Sequence, residues 1–210
     1  NRMTKEQRYQ VAQKVKETLE HSNSYIANTF DYLDMSKISD IKVASLVERH
    51  LISPNFATDR EGRFLLLTKD ESISIMINEE DHLRIQVMKE GLSLKDAYET
   101  AEKIDTLLDN SLHFAFHTTL GYLTQCPTNL GTGVRASVML HLPALQSINA
   151  VNRLESNLAK IGLVLRGTFG EGTGATAALY QLSNQVTLGI SEETAVANLQ
   201  QVALQLVTQE

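Results

Sequence analysis

Phe64-Leu-Leu-Leu-Thr-Lys-Asp-Glu-Ser-Ile-Ser-Ile-Met-Ile-Asn-Glu-Glu-Asp-His-Leu-Arg-Ile-Gln-Val87 is where the period of the chain changes from 3.6 to 2. Phe64–Thr68 is an unbroken apolar run and reads as a buried strand. Ser72–Ile77 and Leu83–Val87 alternate apolar with polar residues, the pattern of strands with two different faces. Polar residues join the segments directly, which predicts neighbouring antiparallel strands. Upstream, Thr4-Lys-Glu-Gln7 has capping-box spacing, and Val11, Val15 and Leu19 follow on one helical face, so a helix is predicted from Lys5 into the twenties. Residues 32–62 are mixed, with Pro54 and Gly62 as breakers and a short helix near Val43 to His50.

Downstream, Ser93-Leu-Lys-Asp96 opens a second helix with Ala97, Ala101, Ile104 and Leu108 inward. An irregular loop covers Thr124 to Gly133, and Val134 to Leu142 alternates again. A helix near Ser147 to Lys160, a strand at Leu163 to Leu165, a glycine-rich loop over Gly167 to Gly174 and a strand near Ala178 to Leu182 follow. The last helix starts at the Ser191 cap and turns Leu199, Val202 and Leu206 inward. Strands joined directly or through isolated helices predict an α+β fold on a largely antiparallel sheet flanked by helices. No repeat or clear linker divides residues 1–210, which read as a single domain.

Composition narrows the function. A chain of 210 residues, 42% hydrophobic and 21% charged, can bury a core without disulfides. Its one cysteine, Cys126, excludes an internal disulfide and a multi-cysteine zinc site, and fits a reducing cytoplasm. The formal charge of -6 gives no general attraction to nucleic acid or an anionic membrane. No apolar run approaches the ~20 residues that span a bilayer, and no signal peptide precedes the first helix. With Asn1 in place of an initiator Met and a helix running to Glu210, both ends read as cut from something longer.

Three stretches carry residue types suited to chemistry. In Asn78-Glu-Glu-Asp-His-Leu-Arg84, extended backbone from Glu80 would put Glu80, His82 and Arg84 on one face, with Leu83 and Ile85 toward the core. An acidic hairpin tip with surface ion pairs gives the same pattern. Cys126-Pro-Thr-Asn-Leu-Gly-Thr-Gly-Val-Arg135 contains a relaxed G-x-G-x-x-A, but a strand follows where a dinucleotide fingerprint requires a helix. No Walker A sequence is present. A lone cysteine is usually a small buried hydrophobe, whereas one before Pro at the mouth of a glycine loop is a better site residue. Arg166-Gly-Thr-Phe-Gly-Glu-Gly-Thr-Gly174 can approach a ligand closely, or be a plain flexible loop.

Taken together, NEEDHLR, CPTNLGTGVR and RGTFGEGT, in that order, resemble the guanidino phosphotransferase family of creatine kinase, arginine kinase and bacterial protein-arginine kinase. The resemblance runs from about Ser45 to the C-terminus and implies a guanidino kinase catalytic domain that uses ATP with Mg²⁺. It assigns Arg84, Arg135 and Arg166 to the nucleotide phosphates and Glu79 to the metal side. Glu80 and Glu171 fall to the acceptor guanidinium, Cys126 lies beside the acceptor, and His50 lies on the adenosine side. Glu-Arg-His-Leu-Ile-Ser-Pro54, the Phe-Gly-Glu-Gly-Thr loop, Gln181-Leu-Ser-Asn-Gln-Val-Thr-Leu-Gly189 and the absence of tryptophan look like the protein-arginine kinase branch.

That branch implies protein substrates presenting arginine, a heat-shock repressor and Clp-type protease machinery as partners, homo-oligomers and a cytoplasmic setting. The alternatives are a small-molecule phosphagen kinase and a catalytically silent module that binds arginine or phosphoarginine. Two departures stand out. Met139 occupies the position of a creatine kinase histidine, and residues 1–210 contain neither the family's upstream S-x-R-x-R segment nor its small helical domain. Residues 1–210 are thus expected to be an ATP:guanido phosphotransferase catalytic domain truncated at both ends.

Overall fold

A computed structural model describes residues 3–22, 29–167 and 177–210. The chain divides into two compact units, Asn1–Glu90 with Asp96–Ala115, and Gly91–Lys95 with Phe116–Glu210. Among the described residues no helix is long and apolar enough to cross a membrane.

The first unit begins with α1 (Lys5–His21), and its capping box forms: Gln7 N donates to Thr4 Oγ1 at 3.3 Å and Thr4 N donates to Gln7 Oε1 at 2.9 Å. Four strands follow, β1 (Phe30–Asp34), β2 (Phe64–Thr68), β3 (Ile73–Ile77) and β4 (Leu83–Val87), antiparallel and in chain order across one sheet. Helices α2 (Asp40–Glu48) and α3 (Pro54–Thr58) interrupt the sheet between β1 and β2, and α4 (Leu94–Leu112) follows β4.

The central strands are covered on both faces. Phe64, Leu66, Ile75 and Ile77 pack with Ala12, Val15 and Leu19 of α1 and Ile104 and Leu108 of α4. Leu65, Leu67 and Met76 face Val43 and Leu46 of α2 and Phe56 of α3. That two-sided burial is why β2 is a continuous apolar run, whereas edge strand β4 alternates. Each core side chain withdrawn from water contributes roughly 1.5–3 kcal/mol.

The second unit holds a short ribbon, β5 (Phe116–His117) with β6 (Gly121–Tyr122), and a three-stranded sheet of β7 (Ser137–His141), β8 (Leu163–Gly167) and β9 (Leu179–Asn184). Strand order is β7-β9-β8, with both outer strands antiparallel to β9. Helices α5 (Pro143–Ser147), α6 (Val151–Lys160) and α7 (Glu192–Gln209) complete it. Leu140, Leu165, Tyr180 and Leu182 pack with Val151, Leu158, Leu199, Ala203 and Leu206. The opposite sheet face carries Ser137, Met139, His141, Gln181 and Arg166. Helix α5 has no side-chain cap of its own, and the Glu210 carboxylate accepts from Ala144 N at 2.6 Å and Leu145 N at 3.0 Å.

The architecture is α+β with helix-flanked antiparallel strands, as the alternation implies; among the described residues they form a four-stranded sheet, a two-stranded ribbon and a three-stranded sheet. Strand β1 straddles the start of the stretch read as mixed. Pro54, read as a breaker, is the first residue of α3, where its missing N–H costs nothing. The helix anticipated over Ser147 to Lys160 starts only at Val151, and Ser147 instead ends α5, because Asn149 has φ 54° and a left-handed residue cannot continue a right-handed helix.

Candidate functional site

In the first unit the acidic motif is a tight turn. Asn78 has φ 67°, and its N–H donates to His82 O at 2.9 Å, which closes the backbone over 78–82. Extended geometry therefore starts only at Leu83, and Glu80 and His82 do not share a strand face with Arg84. Asn78 is fully buried and fixes the turn by donating from Nδ2 to Gly62 O at 2.7 Å and Arg8 O at 2.9 Å. Arg63 supports the same turn, with Nε 3.1 Å from Asn78 O and Nη1 2.5 Å from Asn55 O. Burial lowers the pKa of Arg63, opposed by the charge of Asp59. Asp59 itself is held below the usual carboxylate range by its 2.8 Å pair with Arg8.

The two glutamates differ sharply. Glu79 is buried at 8% exposure, whereas Glu80 is exposed. Glu79 Oε1 accepts from Ser53 Oγ at 2.7 Å, and Oε2 accepts from Glu80 N at 2.9 Å. Arg84 Nη1 lies 3.8 Å from Glu79 Oε1 with about half its side chain in solvent, close enough to orient but free to meet an anion. Strand alternation puts Arg84 and Gln86 on the face opposite Leu83 and Ile85. Gln86 Nε2 donates to His50 O at 2.6 Å, and His50 has a left-handed φ of 58°. Thus Glu79 and Arg84 stand together, and His50 is tied through its backbone to the strand that carries Arg84.

In the second unit Cys126 is half-buried and precedes a 3-10 turn, Pro127–Asn129, with its Sγ 3.0 Å from Thr128 Oγ1. The following loop is pinned from β9 onward. Thr187 Oγ1 donates toward Leu130 O at 2.7 Å and Thr128 O at 3.1 Å, and Thr132 N donates to Thr187 O at 2.9 Å. Gly131, at φ 111°, passes so close that an added Cβ would lie 2.2 Å from Thr187 O.

Asn184 then holds the backbone on either side of Arg135. Its Oδ1 accepts from Ala136 N at 2.7 Å, and Nδ2 donates to Val134 O at 3.0 Å and Val186 O at 3.1 Å. Arg135 is exposed between these anchors. Arg166 is half-buried on β8, in register with Gln181, whose other partner is Met139 on β7. Gln181 Nε2 donates to Ser137 Oγ at 3.0 Å. Glu171 lies outside the described residues.

Ser53, Gln86, Asn184 and Thr187 sit in or beside quoted motifs, yet the sequence reading gives them no role. The available signals were Ser-Pro, which marks an N-cap followed by a proline at N1, and polar residues at buried positions beside a strand end.

Similar proteins are informative once this geometry is in view. The chain is 47% identical over 210 residues to a protein-arginine kinase of Halothermothrix orenii, covering 100% of this chain and 59% of that protein. It is 54% identical over 176 residues to a protein-arginine kinase of Desulforamulus reducens, covering 84% of this chain and 49% of that protein. This chain therefore spans about half to three fifths of the curated relatives it matches. Among solved structures, the duplicated taurocyamine kinase of Schistosoma mansoni with bound transition-state analogue components matches with TM-score 0.84 and 31% identity, over 98% of this chain and 29% of that one. A lombricine kinase matches with TM-score 0.83 and 26% identity, over 98% of this chain and 60% of that one. The profile of the ATP:guanido phosphotransferase C-terminal catalytic domain matches residues 10–210, and the chain belongs to that family.

Proposed function

We propose that this protein transfers the γ-phosphate of ATP to the guanidinium of arginine side chains in proteins. The observation that carries the reading is the likeness of all 210 residues of this chain, at 47% identity, to 59% of a protein-arginine kinase. Its substrates would be arginine-bearing proteins of the cytoplasm, with a heat-shock repressor and Clp-type protease machinery as the partners the branch suggests.

The chemistry explains the residue types. A guanidinium stays protonated at neutral pH, with a pKa above ~12, and its delocalised nitrogens are poor nucleophiles. Carboxylates from Glu80 and Glu171 at two of its nitrogens align the third for in-line attack on the γ-phosphorus. As the P–N bond forms and the bond to the bridging oxygen breaks, Glu80 takes the nitrogen's proton and ADP leaves. No enzyme nucleophile is needed, so Cys126 acts as a polarising contact beside the acceptor. The remaining demand is positioning and charge balance over the triphosphate, which falls to Arg84, Arg135 and Arg166, with His50 on the adenosine side.

Mg²⁺ is commonly held by one or two carboxylates plus substrate phosphates rather than by an all-protein cage. Glu79 offers hard oxygen donors of that type. Its single carboxylate would suit a cation whose other ligands come from the nucleotide. Held beside Glu79, such a cation would offset negative charge on the transferring phosphate.

The test offers Mg-ATP with either protamine or free arginine and analyses both by mass spectrometry without acid, because the P–N bond is acid-labile. The expected product is phosphoarginine within the protein, abolished by Glu80→Gln with nucleotide affinity nearly intact. Efficient turnover of free arginine with unmodified protamine overturns the choice of substrate.

A further inference from the structure

The segment Leu51-Ile-Ser-Pro54 has no part in the chemistry above, yet it touches the acidic motif at one point. Ser53 is the N-cap of α3, with φ -74° and ψ 152°, and its Oγ accepts from Phe56 N at 3.0 Å. The same Oγ lies 2.7 Å from Glu79 Oε1. A hydroxyl has one proton and two lone pairs. With Phe56 N–H on a lone pair, the proton is free to point at the carboxylate. The cap thereby fixes which way the hydroxyl donates.

The segment is itself immobilised. Phe56 is fully buried, Ile52 is 3% exposed, and Arg63 joins Asn55 O to Asn78 O while its guanidinium lies 5.6 Å from the Phe56 ring centroid. Ser53 is thus a donor on a rigid support, facing a carboxylate with little room to rotate. The other oxygen of Glu79 accepts Glu80 N–H at 2.9 Å. Ser53 Oγ–H, the Glu79 carboxylate and the Glu80 peptide N–H form one continuous chain.

We infer that Ser53 is a positioning residue: by orienting the Glu79 carboxylate it fixes the peptide from which Glu80 projects. This inference rests on the proposed role of Glu80 at the acceptor guanidinium. Glu80 is exposed, so the orientation of its own peptide largely decides where its carboxylate points. Misplacing a catalytic group by about 1 Å can cost on the order of a hundredfold in rate.

Three substitutions separate this role from helix capping. Threonine keeps the hydroxyl. Alanine removes both hydroxyl and cap, whereas glycine removes the hydroxyl but caps a helix nearly as well as serine. Phosphorylation of protamine and thermal unfolding are measured for Ser53→Thr, Ser53→Gly and Ser53→Ala, alongside the ¹H–¹⁵N shift of the Glu80 amide. The expected result is wild-type kcat for threonine and a roughly ten- to hundredfold lower kcat for both glycine and alanine, with the KM for ATP within about twofold. The Glu80 amide proton should move upfield in the glycine and alanine variants alone, as its hydrogen bond to the carboxylate weakens.

Wild-type kcat and an unmoved Glu80 amide in Ser53→Gly would reduce Ser53 to a helix cap and overturn the inference. Glu80→Gln is run in parallel. Wild-type turnover there overturns the assignment of Glu80, and the positioning chain from Ser53 is then decided by the amide shift.

Discussion

Asn184→Ala should loosen the backbone that presents Arg135 without touching the arginine. The carboxamide is 3% exposed and serves Ala136 N, Val134 O and Val186 O. Alanine leaves all three without their partner. A buried polar group left unsatisfied costs about 1–3 kcal/mol, and one that water can reach costs much less. Val186 is 44% exposed, so water can replace the amide at its carbonyl. Ala136 N has less freedom, because Ala136 O is already engaged by Asn184 N at 3.3 Å and the residue packs on the core of its unit. Counting Ala136 N as fully lost, Val134 O as partly lost and Val186 O as rescued gives a loss of ~3 kcal/mol.

The chain contains no tryptophan, so urea unfolding is best followed by far-UV circular dichroism. Hydrogen exchange on residues 134–136 reports the local effect. The expected outcome is a midpoint shift equivalent to ~3 kcal/mol, faster exchange at Ala136 and weaker Mg-ADP binding at temperatures where the fold persists. A loss under ~1 kcal/mol with unchanged exchange would mean that water replaces the amide, and the clamp argument fails.

Gly131→Ala should be far more damaging than Gly133→Ala. The first puts a Cβ 2.2 Å from Thr187 O, between two backbones that cannot part, while the second meets only Tyr122 at 3.9 Å and carries a left-handed penalty of ~1–2 kcal/mol; paired thermal melts check the order. Thr4→Ala removes half of the α1 capping box and should cost ~1 kcal/mol in urea unfolding, with Thr4→Ser neutral. Tyr32 is raised to about 12 by burial, with Asp34 and Glu20 adding to the effect. Its folded pKa lies above the unfolded value near ~10, so the folded state holds the proton longer and stability falls as pH rises between the two. Tyr32→Phe should flatten that alkaline loss in melts from pH 9 to 12.

Elements were legible wherever a local rule was enough. The period-2 runs of β2, β3 and β4, the Thr4 capping box and the Ser191 cap each act over a few residues, and each element forms close to its expected place. Reading failed where one residue's backbone angle outweighed the pattern. Asn78 and Asn149, both with positive φ, turned an extended segment into a closed loop and moved the start of a helix to Val151. Asparagine is tolerated in that region and equally common elsewhere, so sequence gives no warning. The motif residues were readable through family resemblance, but their supports were not. Asn184 reaches Ala136 and Val134 across 48 and 50 residues, and Ser53 reaches Glu79 across 26. No periodicity encodes such a bond.

The supports nevertheless share one physical character. Asn78, Glu79, Asn184 and Thr187 are polar residues at or below 8% exposure, each bonded to main chain or to another site element. Burying a polar group is costly unless it is hydrogen-bonded, so the bonds these residues do make constrain the backbone around them. The backbone beneath exposed side chains such as Glu80 and Arg135 is held by that constraint. In the proposed phosphoryl-transfer site such an arrangement would keep the peptide beneath an exposed side chain fixed, which is what a site relying on placement requires. Substitutions at the buried supports should therefore act on the geometry of binding and turnover as well as on stability, and the two effects separate only when variants such as Ser53→Gly preserve the fold.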